Sequence, residues 1–158
     1  MSRSRGRGDR GAAALELVLV TPLLVMLLLF IVFCGRTAGA KGDVIGAARD
    51  AARAASIERD PISAQAAAET AAGEALHRLA VGCETSSTTV EFRPPPIEDP
   101  PETGPPGSDF RRGGTVRVTV SCDIRIKDLS LLALPGTKTL SSTAVEVIDK
   151  YRGTAAAP

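Results

Sequence analysis

The sequence is poor in aromatic residues, with no tryptophan, one tyrosine and four phenylalanines in 158 residues. Outside an apolar run near the N-terminus, the only aromatic residues are Phe92, Phe110 and Tyr151. We therefore expect a small core built from alanine, valine, leucine and isoleucine. A core of this kind suits one small domain beside the apolar run.

The chain also lacks an excess of charge and the residue groupings of common active sites. Its formal net charge is +1, which does not support nucleic-acid binding. His77 is the single histidine, and no Ser-His-Asp spacing, phosphate loop or carboxylate pair with a site around it is present. Gly6, Gly8 and Gly11 match a dinucleotide fingerprint, but no strand precedes them. The sequence predicts a protein that is not an enzyme and binds no cofactor.

One hydrophobic run extends from Ala12 to Cys34, and only Thr21 and Pro22 interrupt its apolar core from Leu17 onward. A helix needs about 20 such residues to cross the hydrocarbon of a bilayer. Basic residues favour the cytoplasmic side of a span. The run is preceded by four arginines, Arg3, Arg5, Arg7 and Arg10. We predict a single-pass protein of the cell membrane, with a cytoplasmic N-terminus and an extracytoplasmic C-terminal domain.

Two ordinary processing reactions could act near the end of this run. Signal cleavage after Ala40 is compatible with the small residues Ala38 and Ala40, although the run is longer than a usual signal core. Lipoprotein processing at Cys34 needs a small preceding residue, and Phe33 is bulky. We reject the lipoprotein reaction and keep release after Ala40 as an alternative.

A third reaction is indicated by Glu16, the one carboxylate in the run. An ionised carboxylate costs roughly 3 kcal/mol or more at the centre of a bilayer. Prepilin-type cleavage requires a short basic leader, a glycine before the scissile bond and a glutamate at the fifth mature position. Gly11, Ala12 and Glu16 have this spacing, so we predict processing between Gly11 and Ala12. In the alternative interpretation, Glu16 lies at the interface and reaches water.

Three segments in order resemble the TadE-like proteins, minor pseudopilins of tight-adherence (Tad/Flp) pilus systems. They are RGAAALELVLVTPLLVMLLLFIVF at 10–33, GAARDAARAAS at 46–56 and TLSSTAVEVI at 139–148. Family members often carry an aromatic residue after the glutamate, where this chain has Leu17. The resemblance implies that Glu16 neutralises the mature N-terminal amine of Ala12, within the chain or between neighbours.

The resemblance also implies a structural role in assembling a Tad/Flp-type pilus or a related secretion system. The expected partners are the membrane, pilin or pseudopilin subunits, the assembly machinery and the prepilin peptidase. Two alternatives stay open: a secreted soluble binding protein released after Ala40, and an uncleaved single-pass accessory protein anchored in the membrane.

Beyond the run, alanines at helical spacing predict a helix that continues from the span. Asp60 and Pro61 then predict the start of a second helix that ends at Gly82. Seven prolines between Pro94 and Pro106 predict an extended loop. The residues of the helical stripe are Val44, Ala47, Ala48, Ala51, Ala52 and Ala55.

The strand pattern is clearest in GTVRVTVSCDIRIKD at 114–128, where apolar residues alternate from Val116 to Ile126. STTVEF at 87–92 and KTLSSTAVEVID at 138–149 are the expected partner strands. We predict an α+β fold in which the transmembrane helix continues into alanine-rich helices packed on a small antiparallel sheet.

These patterns divide the chain into five regions. Residues 1–11 form a basic cytoplasmic leader, 12–34 the transmembrane helix and 35–82 a helical region. Residues 83–113 hold a strand and the proline-rich loop, and 114–158 hold a strand-rich region and the C-terminal tail.

Cysteine placement suits an extracytoplasmic domain. Cys83 follows the second helix, and Cys122 lies on the inward face of the long strand. We predict a Cys83–Cys122 disulfide. Two buried free thiols remain an alternative, whereas a metal site is disfavoured because paired Cys-x-x-Cys spacing is absent and His77 is the only further ligand.

Overall fold

A computed structural model of the protein describes residues 8–78, 82–95, 109–129, 135–149 and 151. The first element is a single long helix, α1, which spans Gly8–Ser56. From residue 14 to residue 32 its side chains are almost all exposed, whereas its last third has a buried stripe. All six residues of the predicted helical stripe are buried, which confirms the amphipathic continuation of the span.

A second helix, α2, spans Pro61–His77 and packs on α1. Its N-terminus is capped by Asp60, whose Oδ1 accepts hydrogen bonds from the backbone N–H groups of Ile62 at 3.1 Å and Ser63 at 2.8 Å. Pro61 occupies the first turn, where its missing N–H has no helical partner to lose. Asp60 therefore starts α2 as predicted, while the expected end at Gly82 follows residues 79–81, which lie outside the described residues.

Three strands form one antiparallel sheet in the order β1-β2-β3. The strands are β1 (Thr85–Arg93), β2 (Thr115–Arg125) and β3 (Thr137–Val147). The register places Thr85 and Thr139 on either side of Asp123. The sheet and its helices confirm the predicted α+β class.

The strand β2 is one residue shorter than its alternation suggests. Ile126 begins a one-turn helix, α3 (Ile126–Leu129), instead of ending the strand. The backbone N–H of Ile126 donates to the carbonyl oxygen of Gly136 at 2.9 Å, and Arg125 pairs with Asp128 at 3.1 Å. These contacts close the connection to β3, and the alternating pattern alone could not indicate them.

The core lies between the two helices and the inner face of β2. The alanines let the helices approach closely, and β2 contributes the buried side chains of Val116, Val118, Val120, Cys122 and Ile124. Burying each of these valines contributes about 1.5–3 kcal/mol. We use "packed domain" for residues 40–149, which contain this core.

Phe110 and the disulfide complete the core on the side of β1. The fully buried Phe110 meets Phe92 edge to face, with ring centroids 5.1 Å apart. Cys83 and Cys122 form a disulfide with a Cα–Cα distance of 5.4 Å. The bond joins the segment after α2 to the central strand, so it ties the helical half to the sheet.

Two contacts set the direction of α1 along the sheet. Near the end of its apolar run, Arg36 Nη1 donates to the carbonyl oxygen of Asp128 at 3.3 Å. At its C-terminus, the carbonyl oxygen of Ser56 accepts a hydrogen bond from the N–H of Asp149 at 3.4 Å. Since β3 runs from Thr137 to Val147 between these points, α1 and β3 run in the same direction.

The predicted basic leader falls mainly on residues 1–7, and the predicted proline-rich loop mainly on residues 96–108. Both segments lie outside the described residues, as do residues 130–134 and 152–158.

Candidate assembly site

The predicted processing residues lie at the start of α1. The backbone of Gly11 and Ala12 is helical and continuous with that of Glu16. Ala12 and Glu16 are four residues apart, so about 6 Å of helix separates their Cα atoms along the axis. The Glu16 side chain is exposed and has no hydrogen bond or ion pair among the described residues. It is therefore available to a group outside the helix.

Pro22 lies inside α1, six residues after Glu16. A proline has no N–H, so the helical hydrogen bond to the carbonyl of Val18 is missing. One residue earlier, the Thr21 hydroxyl donates to the carbonyl oxygen of Leu17 at 2.6 Å. The hydroxyl donor is thereby satisfied within the helix itself and needs no partner outside it. The apolar run can therefore contain both interruptions and remain one helix.

The outer face of the sheet is covered with hydroxyl groups, and the sequence pattern alone did not reveal how they are connected. Asp123 accepts hydrogen bonds from Thr85 at 2.6 Å and from Thr139, one on each neighbouring strand. The hydrogen bond from Thr139 is the largest cause that lowers the pKa of Asp123, and the bond from Thr85 adds to it. Asp123 therefore links all three strands at one end of the sheet.

Further hydroxyl pairs continue this pattern along the strands. Ser87 and Ser121 are 2.8 Å apart, and Thr119 and Thr143 are 2.9 Å apart. These bonds join side chains that share one face and one register position. These hydroxyl groups therefore bond to one another or to Asp123 across the strands.

The described cavities are shallow and hold no reactive constellation. One of about 240 Å³ lies between α1 and α2 beside Asp43, Asp50 and Arg78. Another of about 180 Å³ lies beside His77 and Ser86. Within the described ranges, no three His, Cys, Asp or Glu side chains gather in a way that could hold a metal ion.

The geometry thus divides the predicted site residues into two groups. Gly11, Ala12 and Glu16 share the first turns of α1, whereas Cys83 and Cys122 are bonded inside the packed domain. The third cysteine, Cys34, is exposed on α1. The features missed by sequence reasoning are the Asp123 hydroxyl network and the contact from Arg36 to Asp128. Both depend on chain segments that are distant in sequence.

The structure defines a class of protein before any comparison: one exposed apolar helix carries a small α+β domain at its C-terminal end. This helix is long and apolar enough to cross a membrane. The family model described as "TadE-like protein" matches residues 11–53. The matched segment covers α1 from Gly11 to Arg53 and little more than a quarter of the chain. Over these residues the match confirms the resemblance to the TadE-like family and indicates involvement in Tad pilus assembly. No match was found among curated proteins or among solved structures.

Proposed function

We propose that this protein is a pseudopilin or accessory subunit that acts structurally in assembling a Tad/Flp-type pilus or a related secretion system. Its helix α1 anchors it in the membrane with the N-terminus in the cytoplasm and the packed domain outside. The observation that carries this proposal is the order of Gly11, Ala12 and Glu16 at the start of one continuous helix that contains the apolar run. The family match begins at the same glycine.

The proposed chemistry of Glu16 follows from its position. Cleavage after Gly11 creates a new amine on Ala12, one helical turn from the carboxylate. Each charge alone is costly in hydrocarbon, and pairing offsets part of that cost. Because Glu16 has no partner among the described residues, it is free to pair with this amine in its own chain or in a neighbour. If Glu16 pairs with the Ala12 amine of a neighbouring subunit, this pair would also fix the axial offset between the α1 helices of the two subunits.

The packed domain argues against release after Ala40. Ala40 is 4% exposed and belongs to the core cluster, in the middle of α1. Cleavage there would cut a packed helix and separate Arg36 from its acceptor on Asp128. An intact helix across this point supports an anchored protein over a secreted one.

The N-terminal residue of the mature protein tests this proposal directly. We expect Ala12 at the N-terminus in protein taken from its native membrane. Replacing Gly11 by valine should block processing, because the residue before the scissile bond is the main determinant of cleavage. A mature protein that begins at Lys41 would support secretion, and one that begins at Met1 or Ser2 would support an uncleaved anchor. Either result contradicts the processing step.

Glu16→Ala tests the assembly role separately. Removal of a carboxylate from an apolar helix should make membrane insertion easier. We therefore expect normal protein level and normal membrane localisation together with a loss of pili. Glu16→Asp keeps the charge and should retain most assembly, whereas Leu17→Ala on the same helix should have little effect. Normal piliation in Glu16→Ala would show that the carboxylate is only an interfacial group.

A further inference from the structure

We propose that the packed domain binds a second copy of the same chain by sheet extension, with the free edge of β3 pairing with the free edge of β1 in the neighbouring copy. The inference rests on the proposed membrane anchoring, because the anchors determine how two copies can stand side by side. It adds to the proposed function by assigning an interface to the sheet.

Among the described residues, each outer strand has one edge without a paired strand. In an antiparallel pair, alternate residues direct their N–H and C=O groups to the partner strand. The N–H of Ile148 donates to the carbonyl oxygen of Gly114 at 2.8 Å. The even-numbered residues of β3 therefore direct their backbone N–H and C=O groups to β2. The backbone groups of the odd-numbered residues of β3 then point away from β2, toward the edge of the sheet. The same holds for the even-numbered residues of β1. Within the described chain, none of these outward groups has a backbone hydrogen-bond partner.

The central parts of these edges lack the devices that normally prevent pairing, and the charged residues of the two strands lie toward their ends. Exposed edges are usually short, bulged, or protected by proline and charged residues. Here β3 has 11 residues and β1 has 9, and their registers with β2 run without a bulge. No charge or proline lies between Thr139 and Val145 or between Thr85 and Val90. In addition, Val145 is 48% exposed and Val147 is 62% exposed at the β3 edge.

The anchor excludes symmetric pairing of β3 with itself. Such pairing is antiparallel, with its two-fold axis perpendicular to the sheet. Because α1 runs parallel to β3, the apolar parts of α1 in the two copies related by this axis would extend in opposite directions. In contrast, β1 and β3 run parallel to each other, since both are antiparallel to β2. Two copies that stand side by side on one membrane therefore place β3 parallel to the neighbour's β1.

The anchor also sets the register of this pairing. Thr85 and Thr139 lie opposite the same residue of β2, so they have the same height along the sheet. Copies at equal depth in the membrane then bring Thr139 level with the neighbour's Thr85. Lys138, opposite Ile124, then lies close to the neighbour's Glu84, which directly precedes Thr85 and donates its N–H to the carbonyl oxygen of Asp123 at 2.7 Å. This charge pair is complementary.

The layers of the packed domain have similar widths. Measured across the strands, a three-stranded sheet is about 14 Å wide and a layer of two closely packed helices is about 16 Å wide. The helix layer is thus about 2 Å wider than the sheet, so neighbouring helix layers come into contact when the sheets join. Strand twist makes such a row curve around an axis, which suits a closed or helical assembly of parallel anchors.

Cysteine cross-linking in native membranes tests the interface. Thr89 and Thr143 are both level with Thr119 and exposed on the outer face, so they meet across the proposed contact. One tagged copy carries Thr89→Cys and a second, differently tagged copy carries Thr143→Cys. Both copies carry Cys34→Ser, because Cys34 is exposed and would cross-link by itself. We expect an oxidised dimer that contains both tags.

Two controls make the result specific. Thr85→Cys paired with Thr143→Cys is displaced by four residues, about 13 Å along the strand, and should give no product. Lys138→Glu should lower the yield of the Thr89–Thr143 product about fivefold, and Glu84→Lys in the neighbour should restore it. The Cys83–Cys122 disulfide, checked by mass analysis, shows that each variant is folded.

Absence of the doubly tagged dimer from folded protein would overturn the inference, as would equal products from the displaced pair or a product with a different polypeptide. A mature N-terminus at Ala12 together with no dimer would refute the sheet contact alone. A mature N-terminus elsewhere together with the dimer would refute the processing step and leave the contact standing.

Discussion

Removal of the Cys83–Cys122 disulfide should strongly destabilise the packed domain. The bond closes a segment with a sequence separation of 39 residues between the end of the helical half and the central strand. The test variant is Cys83→Ala/Cys122→Ala, which removes the cross-link without leaving a buried thiol. Alanine is preferred to serine because Cys122 is 1% exposed and a hydroxyl there would lack water.

The expected loss follows from the unfolded chain and from the core. Closing a loop of this length reduces the entropy of the unfolded state by an amount equivalent to about 4 kcal/mol at 25 °C. Truncation of the buried Cys122 side chain adds about 1 kcal/mol through lost packing. The free energy of unfolding of a small domain is about 5–15 kcal/mol. The double variant should therefore lose between a third and nearly all of its stability.

Urea unfolding of the full chain in detergent, followed by circular dichroism, measures this loss. The apolar part of α1 should stay helical in the micelle and contribute a constant signal. Cys34→Ser is the matched control, because Cys34 is exposed and unbonded, and it should not shift the unfolding midpoint. A loss below about 1 kcal/mol in the double variant would refute the argument that the cross-link restrains the unfolded chain.

Three further predictions concern topology, pH and backbone packing. A reporter that is active only outside the cytoplasm, fused after Pro158, should be active, and activity of a strictly cytoplasmic reporter there would reverse the proposed orientation. Hydrogen bonds from Ser63 to Asp60 and from Thr139 to Asp123 hold the pKa of each carboxyl below its ordinary value of 3.8. These hydrogen bonds therefore stabilise the folded chain above pH 3.8, and this stability should be lost as pH falls through the lower pKa values of the folded state. Asp60→Asn removes one of the two carboxyl groups, so the free energy of unfolding should depend less steeply on pH in acid. Gly114→Ala places a Cβ 2.6 Å from the carbonyl oxygen of Arg93 and should cost about 1–3 kcal/mol, whereas Gly73→Ala meets open space within α2 and should be neutral or stabilising. Equal effects of the two glycine changes in urea unfolding would contradict the close approach at Gly114.

The sequence predicted those parts of the fold that depend on local periodicity. The alanine stripe of α1 and the alternation of β2 each repeat for many residues, so burial on one face could be read directly. The capping of α2 by Asp60 is equally local, since donor and acceptor lie within three residues. These are the elements in which propensity, pattern and packing agree.

The parts that the sequence did not predict depend on register or on distant segments. Asp123 looks like one of many solvent-facing residues of β2 until the register brings Thr85 and Thr139 beside it. Ile126 continues the alternation of β2, yet its backbone bonds to Gly136 and turns the chain into α3. No periodic signal carries information about either contact.

The length of α1 separates the two proposed contacts between subunits. Glu16 and Val44 are 28 residues apart, which is about 42 Å along a helix. A charge pair at Glu16 and a strand pair at β3 therefore cannot influence each other through direct contact. Between them, Pro22 lacks one helical hydrogen bond, whereas the helix from residue 23 to Ser56 contains no proline and is tied to the sheet by Arg36. The part of α1 after Pro22 thus sets the direction of the packed domain. The charges before Pro22 set how deep α1 lies in the membrane. Glu16→Ala should leave the sheet contact intact in the membrane, and Lys138→Glu should leave processing at Gly11 intact, because Glu16 lies near the start of α1 whereas Lys138 lies on β3 of the packed domain.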